Sequence, residues 1–331
     1  MGILAEGVWQ EIGFEPISDQ DDFVRSASQF RGTIVAPQPD ITETDDISVA
    51  EAGRYHLYVS LACPWCHRTL IYRHLKKLEK IISVTIVEPV INQSGWEFQR
   101  MRPNRQHTHG AQADPLFSDD FLYQIYQRAQ PQYTGRVTVP ALWDKQKRII
   151  LNNESSDIIR FFNQAFDSIT GNNIDFAPQS LLSDIDNLNQ IILEKINHGV
   201  YLCGFATAQE AYDLAAKELF EALDEMEERL EKNRYLLGEQ LTESDWYLFP
   251  TLLRFDCVYY SLFKTNLRRI EDYPHLSHYI RELYQIKGMQ ETINFQHIIR
   301  HYYMSLPQLH PSRIQPIGFV PDYNQTHYRG R

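Results

Sequence analysis

The chain has 331 residues, 43% of them hydrophobic and 12% aromatic, enough to bury a sizeable core divided between two domains. A net charge of −11 and an isoelectric point near 5.5 argue against non-specific binding to nucleic acid or to an anionic membrane, both of which need basic surface, and leave small molecules as the expected partners. Four cysteines are too few for a disulfide framework, no apolar run approaches the length of about 20 residues that spans a bilayer, and Met1-Gly2-Ile3-Leu4-Ala5-Glu6 lacks a basic region, a long apolar run and a myristoylation Ser or Thr; the expected compartment is reducing and cytoplasmic.

Residues 1–50 mix Gly, Pro, Asp and Gln with scattered aromatics and hold no sustained period, which predicts an arm pinned to a domain by Trp9, Phe14, Phe23 and Phe30. The next segment, 51–168, opens with an aromatic and β-branched run, Arg54 to Ser60, that predicts a strand. Cys63-Pro64-Trp65-Cys66-His67-Arg68 follows and starts the helical pattern Leu70, Ile71, His74, Leu75, Leu78; Ser83 to Val87 then predicts a second strand, completing a βαβ opening. Pro64 suits the first helical turn, so Cys63 falls at or near the N-cap, with unpaired amide N–H groups aimed at its sulfur. Lowering a thiol pKa from about 8.5 to about 5.5 needs roughly 4 kcal/mol favouring the anion, and a helix terminus supplies at most about 2. Hydrogen bonds donated to the charged sulfur, at about 1.5–3 kcal/mol each, must make up the difference, so donors from elsewhere in the chain are expected at Cys63.

From Pro89 to Gln130 the pattern is irregular, with Trp96 after a glycine and His107 and His109 close together. No Cys, Asp or Glu stands beside those histidines at ligand spacing, so a solvated loop is expected and no metal. Arg136-Val137-Thr138-Val139-Pro140-Ala141-Leu142-Trp143 is an extended run in which Pro140 belongs at a strand start or edge, and Val139–Pro140 is a candidate cis peptide. Arg148 to Leu151 predicts another strand, and Asn152-Asn153-Glu154-Ser155-Ser156-Asp157 supplies helix-start residues before Ile158, Ile159, Phe162 and Phe166, where an anion or carboxylate site can form. Gly171-Asn172-Asn173 and Ala177-Pro178 predict a linker.

Residues 178–331 predict an all-α domain: Leu182, Ile185, Leu188, Ile192 and Ile196 recur at three and four, as do Leu219, Ala222, Leu223, Met226 and Leu230. The charged run Asp224 to Lys232 fits the solvated face of that second helix. Thr242-Glu243-Ser244-Asp245 matches a capping box with Asp in place of Glu, and Cys203 and Cys257, in apolar surroundings, are expected to be small buried hydrophobes.

An α/β half with a Cys-Pro-Trp-Cys turn and a Val-Pro strand entry, followed by an all-helical half, resembles a glutathione transferase with an N-terminal thioredoxin-fold domain. Finer motifs, from Arg54 through Trp65, Gly95-Trp96, Arg136 through Pro140, Asn153-Glu154-Ser155, Gly199-Val200-Tyr201 with Gly204-Phe205-Ala206, Arg254-Phe255-Asp256 with Val258-Tyr259, and Asn294-Phe295 with His297 and His301-Tyr302, resemble in order the glutathionyl-hydroquinone reductases, or Xi-class glutathione transferases. The resemblance implies glutathione-dependent reduction of glutathionyl-hydroquinones in a homodimeric, metal-free enzyme with glutathione as co-substrate. It makes Cys63 the nucleophile, Tyr201 the proton donor and acceptor, and Tyr259 and Tyr302 the donors to the Cys63 sulfur. It assigns glutathione to Trp96, Arg136, Val137, Thr138, Val139, Glu154 and Ser155, with Val139 pairing backbone to backbone and Glu154-Ser155 taking the γ-glutamyl end. Spacing alone selects none of these tyrosines from the 19 present. Position 66, usually a small non-thiol residue in this family, is Cys here; Cys66 is therefore either a resolving thiol that closes a disulfide with Cys63 or an inert side chain inside the helix. The alternatives carried with this reading are an omega-like thiol transferase or dehydroascorbate reductase, which needs the same cysteine but no aromatic-lined acceptor pocket, and a non-catalytic thioredoxin-fold interaction protein.

Overall fold

The computed structural model describes residues 2–11, 28–99, 110–318 and 320–330; Phe14, Phe23, His107 and His109 lie outside them. The chain forms two compact units, one made of the segments up to Ile174 together with Asn294–Ser305, the other of Asp175–Ile293 with the chain from Leu306 onward.

The first unit begins with a hairpin of β1 (Gly2–Ala5) and β2 (Val8–Glu11), closed by Glu6 and Gly7, both at positive φ as the tight right-twisted turn requires. Strand β3 (Thr33–Val35) lies parallel to β4 (Ile47–Val49), and β1 also pairs with the short β7 (Gly135–Arg136). Two of the expected aromatic pins hold this arm. Trp9 stacks on Tyr123 at 5.0 Å and donates its indole N–H to the Gln93 carbonyl at 3.0 Å, while Phe30 stacks on Tyr133 at 5.4 Å.

At the centre is β5 (Tyr55–Val59), parallel to β6 (Ser83–Ile86) and antiparallel to β8 (Ala141–Asp144), which pairs in turn with β9 (Ile149–Asn152). Every residue of β5 is buried, because both faces of the strand are covered. Tyr55 meets Phe166 on one face, beyond α3 (Ser155–Gln164); on the other, Tyr58 meets Phe98 and donates to Asp114 at 2.9 Å. Helix α1 (Pro64–Leu75) follows β5 and packs on α3. Its buried C-cap, Lys76, reaches the carbonyls of Asn172 and Ile174 and the carboxylate of Asp167, which fastens the single-turn α4 (Asp167–Thr170) to the end of α1.

The stretch expected to be irregular through Gln130 contains a helix, α2 (Leu122–Ala129). Its buried residues Leu122, Ile125 and Tyr126 fall at three and four, a stripe too short to stand out against the surrounding glutamines. Helix α11 (Phe295–Ser305), which the sequence reading grouped with the helical half, clusters with the first unit: Ser305 Oγ accepts from the Ile91 N–H at 3.0 Å and His301 Nδ1 meets the Pro89 carbonyl at 2.8 Å.

The second unit comprises α5 (Leu182–Ile191), a wide π turn at Ile192–Asn197, α6 (Gly199–Phe205), α7 (Gln209–Lys232), α8 (Glu243–Arg254), a second π turn at Phe255–Tyr259, α9 (Tyr260–Leu262) and α10 (Pro274–Tyr284). The residues at three- and four-residue spacing, Ile185, Ile192, Ile196, Leu219, Leu223 and Met226, are its buried core. The capping box forms as expected: Asp245 accepts from the Thr242 N–H at 2.7 Å and its hydroxyl at 3.0 Å, and also from Tyr279 at 2.8 Å. Among the described residues no helix is long and apolar enough to cross a membrane.

His56, inside β5, sits between the hydroxyls of Ser83 (2.7 Å) and Thr85 (2.9 Å). Burial, aided by the charges of Lys145 and Arg73, holds its pKa down to about 3. The folded value lies below the unfolded one of about 6.5, so the stabilisation is complete above about pH 6.5 and fades as pH falls toward about 3, at about 1.4 kcal/mol per pH unit. In urea titrations the stability gap between the wild type and His56→Gln should narrow by about 2 kcal/mol from about pH 7 to about pH 5; a gap that does not change with pH would refute a buried neutral imidazole.

Candidate active site

Residue Cys63 is the N-cap of α1, with extended backbone (φ −75°, ψ 124°) and Pro64 in the first turn, as the sequence implies. Its backbone is held on both sides: its N–H donates to the Ser60 carbonyl at 3.2 Å, and its carbonyl accepts from the His67 N–H at 3.0 Å. The side chain is 8% exposed, and Sγ lies 3.7 Å from the Val139 carbonyl, next to the Val139–Pro140 peptide, which is cis as expected. A thiol can donate to that carbonyl; a thiolate cannot, so an ionised sulfur must take its hydrogen bonds from other donors. Cys66 is fully buried, and its sulfur accepts from the Ser60 N–H at 3.5 Å. Burial pushes the thiols of Cys203 and Cys257 up to about 12, in keeping with their expected role as small core residues.

One side chain that sequence reasoning missed joins Thr138, an expected glutathione residue, to Asn153, the residue before Glu154. The Tyr126 hydroxyl, on α2, donates to the Thr138 carbonyl at 2.8 Å, accepts from the Thr138 N–H at 3.3 Å and accepts from Asn153 Nδ2 at 3.2 Å. It thereby ties the Val137-Thr138-Val139 segment to the turn that launches α3. There Glu154 is the N-cap, with its carboxylate accepting from the Ser156 N–H at 3.3 Å and from Ser28 at 3.0 Å. Ser155 beside it is buried, whereas Arg136, in β7, is exposed. Nothing in the sequence distinguished Tyr126 from the other tyrosines, because its role depends on a helix whose pattern was illegible.

Trp96 is 8% exposed, and its carbonyl accepts from the Leu122 N–H at 3.0 Å at the start of α2. Its indole stacks on the His301 ring at 5.2 Å and 15°. Tyr302, the next residue of α11, is buried within the same unit as Cys63.

Tyr201 and Tyr259 belong to the second unit. Their rings lie 6.0 Å apart, and Phe263 packs on both, at 5.4 Å from Tyr201 and 5.3 Å from Tyr259. Gly204 makes room for that arrangement, since a Cβ there would fall 2.5 Å from the Phe263 ring. Among the described residues, no group of three or more His, Cys, Asp or Glu side chains is placed to hold a metal ion.

Comparison with known proteins agrees with this architecture. Residues 62–165 match the glutathione S-transferase N-terminal domain and residues 209–282 the C-terminal domain. The glutathionyl-hydroquinone reductase YqjG of Escherichia coli K12 is 47% identical over 99% of this chain and 98% of its own, and the glutathionyl-hydroquinone reductase PcpF of Sphingobium chlorophenolicum is 45% identical over 96% of each. Among solved structures, glutathione-bound YqjG superposes with a TM-score of 0.87, covering 99% of both chains at 45% identity. A Xi-class enzyme from Natrialba magadii gives 0.88 at 40% identity, over 99% of this chain and 96% of that one. The chain belongs to the glutathione S-transferase family, in its Xi class of glutathionyl-hydroquinone reductases.

Proposed function

We propose that the protein reduces glutathionyl-hydroquinones to hydroquinones at the expense of glutathione, through a mixed disulfide on Cys63. What carries this function is the placement of a cysteine thiol at the start of α1, beside the Val139 carbonyl, in a chain 47% identical from end to end to an enzyme named for that activity. The Cys63 thiolate attacks the glutathionyl sulfur, the carbon–sulfur bond breaks, and its electron pair goes to the aromatic carbon, which takes a proton from Tyr201. Hydroquinone leaves, and Cys63 is joined to glutathione. A second glutathione gives its thiol proton back to Tyr201 and attacks the glutathione sulfur of that disulfide, releasing oxidised glutathione and restoring the Cys63 thiolate.

In this function Trp96, Arg136, Val137, Thr138, Val139, Glu154 and Ser155 hold glutathione, and Tyr259 and Tyr302 donate hydrogen bonds to the charged sulfur. Support for the glutathione role comes from the Tyr126 bridge, which fixes the backbone of Thr138 relative to the start of α3, where N–H groups and a helix dipole favour an anionic end of the ligand. Cys66 is inert in the cycle, because its buried sulfur would have to leave the Ser60 N–H to reach Cys63. Homodimeric assembly rests on the resemblance, and a cytoplasmic setting rests on a cysteine content of four, too low for the disulfide framework of an oxidising compartment. The domain limits of the sequence reading, an arm to residue 50, a glutathione domain over 51–168 and a helical domain from 178, stand as the proposed functional division.

Three outcomes test this. Cys63→Ser should abolish turnover, and intact-mass analysis of the wild type after treatment with oxidised glutathione should show one adduct, mapped to Cys63; an adduct on Cys203 or Cys257 would sink the assignment. Tyr126→Phe should raise KM for glutathione about five- to tenfold, the equivalent of roughly 1–1.4 kcal/mol of lost hydrogen bonding, with kcat changed much less. An unaltered KM would remove the bridge from the binding site. Cys66→Ala should keep most of the activity at saturating glutathione; near-complete loss would make Cys66 an obligate resolving thiol.

A further inference from the structure

In the loop after β6 the backbone is held by two isolated bridges, Asn92 with Gly95 and Glu97 with Phe121, and Trp96 is buried between them. Gly95 before it has φ +80° and carries the Trp9 ring so close that a Cβ would fall 2.8 Å away, so the backbone is shaped from the arm side. The indole itself is held from the other direction. His301, more than two hundred residues later in sequence, lies parallel to it at 5.2 Å, and its own ring is fixed by Nδ1 at 2.8 Å from the Pro89 carbonyl. A carbonyl only accepts, so Nδ1 carries the proton and donates. Ser305, one helical turn on, accepts from the Ile91 N–H at 3.0 Å, and Tyr302 meets the His301 ring edge-on at 5.0 Å and 77°. Two residues of α11, His301 and Ser305, thus grip the 89–96 loop, and the His301 ring is an aromatic platform under Trp96.

We propose that His301 is a positioning residue for glutathione binding: its ring is the surface on which Trp96 is set, and its bond to Pro89 fixes that ring. The proposal rests on the glutathione role given above to Trp96. The side chain offers two chemical properties, a flat ring that is the platform itself and a donor at Nδ1 that only steadies it, and they can be separated. His301→Phe keeps the platform without the donor, His301→Asn keeps a donor without the platform, and His301→Ala has neither.

The experiment compares these three variants with Trp96→Leu and with the wild type, measuring KM for glutathione, kcat and the near-ultraviolet circular dichroism of the tryptophans. The Trp96 band is defined as the difference between the wild type and Trp96→Leu. His301→Ala and His301→Asn should lose that band and raise KM about five- to tenfold with kcat lowered much less, as expected for a lost aromatic pair. His301→Phe should restore most of the band and of the affinity, which a merely structural role in α11 would not do. If Trp96→Leu raises KM while His301→Ala leaves both KM and the band at wild-type values, the proposal is overturned and the site assignment stands. If Trp96→Leu leaves KM unchanged, the glutathione role of Trp96 fails, and the functional role of His301 fails with it. Should His301→Ala not fold, His301→Phe and His301→Asn decide: equal KM values in the two would refute the platform.

Discussion

One turn governs this molecule, the passage from β5 into α1 at Cys63. Strand β5 is buried on both faces, so its end is fixed in position, and Pro64 imposes a helical start on the next residue. Cys63 has no backbone freedom left: its N–H bonds back to Ser60 and its carbonyl is already taken by His67. From that fixed backbone the sulfur reaches to 3.7 Å from the carbonyl of Val139. That contact suits the neutral thiol and offers nothing to a thiolate. The helix N-terminus alone supplies too little to ionise a thiol fully, which is why hydroxyl donors are part of the proposed site.

The rest of the first unit organises the surroundings of that sulfur through long-range ties. Helix α2 begins where Trp96 gives up its carbonyl to Leu122 and, one turn later, presents Tyr126 to Thr138 and Asn153. Helix α11 then returns from late in the chain to hold the same loop through His301 and Ser305. The proposed binding residues, scattered from 96 to 155, are thus connected by side chains to which the proposed cycle gives no chemistry. In the second unit Phe263 does the comparable work, holding Tyr201 and Tyr259 at fixed separations against a glycine that admits its ring.

How much of this was legible depended on how local the signal was. The N-cap cysteine, the cis Val139–Pro140 bond, the Asp-closed capping box before α8 and the helical stripes of α5 and α7 each express a rule that operates within a few residues, and each is present. Helix α2 was hidden because its apolar stripe, Leu122, Ile125 and Tyr126, spans only two turns, too few to establish a period among glutamines and tyrosines. Tyr126 and His301 were hidden for a different reason. Their partners lie 12 to 27 residues away for Tyr126 and 212 away for His301, and no periodicity reports such a distance. The family motifs pointed to Tyr302 but left its neighbour His301 without a role.

In the proposed cycle this thiol site acts on a glutathione sulfur attached to a hydroquinone ring, and not on disulfides in general. That selectivity is tested most directly by measuring kcat/KM side by side, with one enzyme preparation, on a glutathionyl-hydroquinone, on hydroxyethyl disulfide and on dehydroascorbate. The glutathionyl-hydroquinone should be the best of the three by a wide margin. Comparable values for all three, or a preference for dehydroascorbate, would contradict it and leave an omega-like thiol transferase in its place.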